Sequence, residues 1–323
     1  MMFLAHFQIF SEIIFVKQNT NTGVINLKYF QMKPRTIEKI IPPPPVHWVG
    51  DGFRVHNFIP SVPPMSMERM SPFILLDYNS KHYFAPSERP RGVGVHPHRG
   101  FETVSIAYKG KIAHHDSFGN SGVIDEGDVQ WMTASSGLLH KEYHEKGFSE
   151  KGGLFHMVQL WVNLPAKFKM SSPKYQPITN KEMGNYILPD GEGVIEVIAG
   201  EYHDVKGPAS TFTPVTLMNA KLNKGGKAAF SFPAVYNTGA VVIEGSILVN
   251  GTEKAESDHY VLFRNDGEEF TIEAAENAIV LIMSGEPINE PIASHGPFVM
   301  NTQTEIMQAY ADMNRGRFGF LED

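Results

Sequence analysis

Beyond Met32 the apolar residues of the chain gather in short runs. "GFRVHNFI" (Gly52–Ile59), "FILLDY" (Phe73–Tyr78), "FETVSIAY" (Phe101–Tyr108), "GVIDEGDVQWMT" (Gly122–Thr133) and "GLFHMVQLWVNL" (Gly153–Leu164) are rich in β-branched and aromatic residues. Gly, Asp, Asn and Pro separate such runs at intervals of about 8–12 residues, the rhythm of an all-β sandwich or barrel. A polar, proline-bearing stretch, Asn163–Asn180, reads as a connector. A second series of the same kind follows, from "GVIEVIAGEY" (Gly193–Tyr202) to "NAIVLIMSG" (Asn277–Gly285). Near the end the period changes. Thr302 and Glu305 have the spacing of a capping box, Ile306, Tyr310 and Met313 form an i, i+4, i+7 stripe, and Gly316 stops it. That pattern predicts one closing helix.

The two series look like diverged copies. When Gly110 is set on Gly245, "SIAYKGKI" (Ser105–Ile112) aligns with "VVIEGSIL" (Val241–Leu248), each a strand, a Gly turn and a strand. Two β-barrels of one type account for a chain of 323 residues. The expected division is a first barrel over 32–165 and a second barrel plus the helix over 166–323. Residues 1–31 read as a disordered N-terminal extension, as from an upstream start codon. No Lys or Arg precedes Lys17 and Glu12 interrupts the apolar run, so the stretch lacks the marks of a signal peptide or a membrane span.

Composition narrows the chemistry. A net charge of -7 with no run of Lys or Arg disfavours nucleic acid and anionic membranes as partners. There is no cysteine, which excludes disulfides, thiolate nucleophiles and Cys-based zinc sites and suits the cytoplasm. A metal site in this chain must be built from its 14 histidines and its carboxylates.

Two segments offer one. In "GVGVHPHRGFE" His96 and His98 stand at i and i+2, which in a strand puts both imidazoles on one face. Gly92, Gly94 and Gly100 around them let the backbone bend close to a site. Further along, in "GDVQWMTASSGLLHKEYHEKGF", His140 and Glu142 repeat the i, i+2 spacing and His144 continues it. Neutral imidazoles with one carboxylate suit Fe(II), Mn(II), Ni(II) or Zn(II).

These segments carry a resemblance. Gly94-x-His96-x-His98-x3-Glu102, followed by Gly127, Gly137 and His140, is similar to the two-part cupin pattern. "HPHRGFETVSIAYKG", "GDVQWMTASSGLLHKE", "VQLWVNLPAK", "GEPINEPIASHGPFVMNT" and "GRFG" resemble the pirin family of bicupins, from about Met32 to the C-terminus. The resemblance implies two cupin-type, jelly-roll-like double-stranded β-barrels and one Fe(II) in the first, with Zn, Mn, Ni or Cu as alternatives. It implies metal ligands at His96, His98, His140 and Glu142, whereas in most other cupins the carboxylate would be Glu102. Glu102 is then expected behind the ligands, orienting an imidazole N–H or a water. The activity implied is quercetin 2,3-dioxygenase, with a flavonol and O2 as substrates and Glu142 also serving as the catalytic base. The alternative implied is a non-catalytic, iron-dependent binding protein whose partner is a transcription factor or a metabolic enzyme.

Other residues invite a reading. Phe101, Trp131 and Leu139 are candidates to line an apolar pocket, and core packing explains them equally well. Ser135, Ser136, Lys141 and Tyr143 differ from what pirins often carry and are expected to shape access to the pocket. His114, His115 and Asp116 look like a metal cluster, but adjacent strand residues point to opposite faces. A turn with Asp116 and Asn120 bonding the backbone is the expectation there. Arg99 is set either to bind an anion or to pair with a carboxylate. In the second series the positions matching His96, His98 and Glu102 are Ser231, Pro233 and Asn237, which would hold no transition metal.

Overall fold

The computed structural model describes residues 33–323; the expected extension over 1–31 lies outside them. Both halves are antiparallel double-stranded barrels. In the first, a seven-stranded sheet runs Lys174–Ile178, Val129–Thr133, Phe101–Lys109, Gly153–Asn163, Phe73–Phe84, Phe53–Ile59, Val46–Val49. It faces a four-stranded sheet in the order Gly92–His98, Leu138–His144, Ile112–Asp116, Ser121–Ile124. In the second, the order is Ile37–Ile41, Tyr260–Phe263, Asn237–Glu244, Ala278–Gly285, Val215–Leu222, Gly193–Ala199, Gly184–Ile187. Its four-stranded sheet runs Lys227–Ser231, Glu269–Ala274, Ser246–Val249, Glu253–Glu256. No described helix is long and apolar enough to cross a membrane.

The internal repeat is visible at its turn. Gly110 (φ 83°) and Gly245 (φ 75°) each carry the chain from a strand of the seven-stranded sheet into a strand of the four-stranded one. Both occupy the left-handed region, which glycine enters without steric cost. Sheet membership does not follow a cut at 165/166. Ile37–Ile41 pairs with Tyr260–Phe263 in the second barrel. Lys174–Ile178 pairs with Val129–Thr133 in the first. Each of these strands precedes a barrel in the sequence and completes the edge of the other, so their backbone groups are satisfied by strands far away in the chain.

Burial distinguishes the interiors of the two barrels. One core lies between the two seven-stranded sheets, where Trp131, Val104 and Val158 of the first half join Val241, Leu281 and Tyr260 of the second. Inside the second barrel the filling is apolar: Phe230 faces Phe270 in register, and Phe263 and Phe270 lie 4.2 Å apart. In the first barrel His96 stands opposite His140 across the paired strands, and polar Ser105, His114, Gln130 and Glu142 are buried in the same half.

After Gly285 the chain returns to the first barrel. The helix Gln303–Asn314 starts at the Thr302–Glu305 capping box. Its inner face is Ile306, Ala309 and Asp312, with Tyr310 and Met313 partly buried beside them. The buried acid has a partner: Arg99 Nη1 lies 3.0 Å from Asp312 Oδ2, with both side chains almost wholly buried. Arg99 is thus a carboxylate partner, and its Nε donates to Ser136 O at 2.7 Å.

Candidate metal centre

Four of the functional candidates come from two paired strands of the small sheet. Gly92–His98 and Leu138–His144 run antiparallel with His140 opposite His96, and a register shift separates His140 from Glu142. Along Leu138–His144 burial alternates strictly, with Leu138, His140, Glu142 and His144 inside and Leu139, Lys141 and Tyr143 less buried. One nitrogen each of His96, His98 and His140 lies within 4.8 Å of the others. The ring centres are 4.1 to 4.9 Å apart.

The surroundings prepare these imidazoles as lone-pair donors. Burial lowers the affinity of all three for a proton, and the neighbouring imidazoles lower that of His98 and His140 further. Those two therefore stay neutral well below the usual histidine range. His96 Nδ1 faces Gly94 O at 2.8 Å and His98 Nδ1 faces Pro297 O at 3.4 Å, which leaves their Nε2 atoms for a cation. His140 is fully buried, and neither of its ring nitrogens has a hydrogen-bond partner in the protein. Burial of an unpaired polar group costs on the order of 1–3 kcal/mol. A divalent metal taking one of those lone pairs fits this donor set.

Glu142 is held close by. Its Oε1 accepts from Ser105 Oγ at 2.9 Å and Gln130 Nε2 at 3.3 Å, and its Oε2 accepts from Gln159 Nε2 at 3.2 Å. A carboxylate oxygen of Glu142 also comes within 4.8 Å of nitrogens of His140 and His114. Glu102 belongs to neither cluster. It lies on Phe101–Lys109, where it accepts from Thr133 Oγ1 at 2.6 Å, and burial pushes its carboxyl up to about 7.

Several expectations need correction. Leu139 does not share a wall with His140, because alternation turns it to the other face, against Phe298, Met300 and Phe318. Lys141 and Tyr143 share that outward face: Lys141 Nζ donates to Glu322 O, and Tyr143 stacks on His115. Trp131 packs in the core between the barrels. Phe101 does lie against the cluster, 5.0 Å from the His98 ring, and stacks on Trp161 at 4.2 Å. The turn after Ile112–Asp116 forms as expected, with Asp116 Oδ1 accepting from Phe118 N and Asn120 N. His115 does point away, whereas His114, set aside with it in the sequence, points in. Only the pairing of its strand with Leu138–His144, which sets it opposite Glu142, reveals it. Both groups of side chains able to hold a cation among the described residues lie in the first barrel.

Two family models match the chain, pirin over residues 52–162 and the pirin C-terminal cupin domain over 217–319. A protein of Pseudomonas aeruginosa provisionally named a quercetin 2,3-dioxygenase is 45% identical over 84% of this chain and 94% of its own length. The chain belongs to the pirin family. Human pirin is 35% identical over 84% of this chain and 90% of its own. Among solved structures, a quercetin 2,3-dioxygenase from Acinetobacter baumannii superposes with a TM-score of 0.84 at 46% identity. The match covers 90% of this pirin-family chain and all of the other.

Proposed function

We propose that the chain is a metal-dependent dioxygenase that cleaves flavonols with O2, in the manner of a quercetin 2,3-dioxygenase. The metal is Fe(II), held by His96, His98, His140 and Glu142. The observation that carries this reading is the convergence of three imidazoles, two of them buried and one half-buried, beside a fixed carboxylate. It occurs in a chain 46% identical to a solved protein of that activity.

The bound metal would supply Lewis acidity toward the oxygens of a flavonol and a place for O2 beside them. The remaining work belongs to the chain. Ser105, Gln130 and Gln159 fix the Glu142 carboxylate, so its oxygens are oriented before substrate arrives. Glu142 is the group to accept the proton of the 3-hydroxyl, because one of its carboxylate oxygens comes within 4.8 Å of a His140 nitrogen. Trp161, beside His98 and backed by the buried Phe101 ring, is the flat apolar side chain placed to meet the substrate rings.

The test compares forms of one protein. Iron-loaded protein should consume O2, bleach quercetin and release carbon monoxide, whereas His98→Ala and the zinc-loaded protein should do so far more slowly. If iron-loaded wild type does no better than free iron at equal concentration, the enzyme reading fails. The protein would then be a metal-dependent binding protein, with a transcription factor or metabolic enzyme as its partner.

A further inference from the structure

Each of the three clustered imidazoles needs a partner for the ring nitrogen it does not present to a cation, since that bond fixes its tautomer and orientation. His96 has Gly94 O and His98 has Pro297 O. His140 has no such partner, although no part of it is exposed. Ser105, Gln130 and Gln159 are already engaged with Glu142. The register partner of His140 on the neighbouring strand is Asp116, whose oxygens accept from Phe118 N, Asn120 N and Asn120 Nδ2.

Glu142 also brings a carboxylate oxygen within 4.8 Å of His140, but both its oxygens are already taken; His114 is the other side chain in reach. It is fully buried, and like His140 it has no hydrogen bond at either ring nitrogen. Its ring stacks on Tyr175 at 5.2 Å and stands 5.5 Å from the ring of His140. Two imidazoles joined by an N–H···N bond have ring centres about 5 Å apart, so a small side-chain rotation closes the contact. On its other side His114 Nε2 lies 3.8 Å from Asp116 Oδ2.

We propose that His114 is the positioning residue of His140. The proton of His114 sits on Nε2, turned to the Asp116 carboxylate, so that Nδ1 presents a lone pair. That lone pair accepts the N–H of His140, whose opposite nitrogen is thereby held toward His96 and His98. Asp116, His114 and His140 form a file that runs from the turn after Ile112–Asp116 to the metal position, with a single carboxylate at its outer end. This inference rests on the reading of His140 as a metal ligand.

The experiment uses zinc-loaded, 15N-histidine-labelled full-length protein and metal titrations. In wild type, NMR should show a slowly exchanging His140 ring proton with a scalar coupling across the hydrogen bond to a His114 nitrogen. His114→Phe keeps a ring packed against Tyr175, and the melt of its metal-free form checks that it folds. This variant should bind zinc about 10–100-fold more weakly, the usual cost of losing such a partner. His114→Asn retains an acceptor at the Nδ1 position and should restore most of the affinity. A His140 ring proton coupled to no His114 nitrogen would overturn the proposal. So would His114→Phe protein with an unchanged melt and wild-type zinc affinity. A wild type that takes up no metal would overturn the metal centre itself, and this inference with it.

Discussion

The i, i+2 spacing of His96 with His98 and of His140 with Glu142 made the four proposed donors legible in the sequence, because strand alternation puts each pair on one face; the structure gathers His96 and His98 with His140, and Glu142 with His140 and His114. His114 was not legible. Its neighbour His115 points outward, and only the pairing of Ile112–Asp116 with Leu138–His144 sets it opposite Glu142. The choice between two carboxylates also belongs to this scale. Glu142→Gln should weaken metal binding more than Glu102→Gln, since Glu102 is engaged with Thr133 outside both clusters. Equal losses in a metal titration would contradict that assignment. Protonation gives a second prediction. Burial lowers the pKa of His144 and of His156 to about 4, and the unfolded chain protonates these groups near 6.5. Below that value the unfolded state binds more protons, so stability falls as pH drops from 7 to 5, by roughly 2 kcal/mol for each such histidine. Buried His98 and His140 act in the same direction. Urea unfolding of the metal-free protein at the two pH values checks the sign, and a flat profile would refute it.

At the scale of elements, the closing helix could be foreseen but its seat could not. Its capping box and its end near Gly316 follow from local sequence, while its position against the first barrel depends on Arg99, more than two hundred residues away. The segment around it supports the outer side of the strands Gly92–His98 and Leu138–His144. Asp323 Oδ1 accepts from Val95 N at 3.0 Å and Ser117 Oγ donates to Phe318 O. Lys169 Nζ ties Gly100 O at 2.7 Å to Val299 O at 2.9 Å. Breaking a buried ion pair by removing one partner costs about 3 kcal/mol or more. Asp312→Ala should therefore lower the melting temperature by several degrees and loosen metal retention, because it leaves Arg99, next to His98, without its acid. An unchanged melt would show that the helix adds nothing to the first barrel.

At the scale of the molecule, the all-β repeat was readable from the spacing of apolar runs, and the exchanged edge strands Ile37–Ile41 and Lys174–Ile178 were not, because edge pairing leaves no local signature. The same duplication yields two different interiors, one filled by Phe230, Phe263 and Phe270 and the other holding imidazoles. Wild type should therefore bind about one metal ion per chain, since a borderline cation needs N or O donors that the apolar barrel does not offer. Substitutions at Ser231, Pro233 or Asn237 should leave that stoichiometry alone, and a second tightly held ion would contradict it. The most direct test of the whole account is carbon monoxide release from quercetin under O2 by protein carrying one iron per chain. Release should rise in proportion to bound iron and be lost in His98→Ala and in the zinc form. Release no faster than from free iron, or equal release from the zinc form, would contradict it.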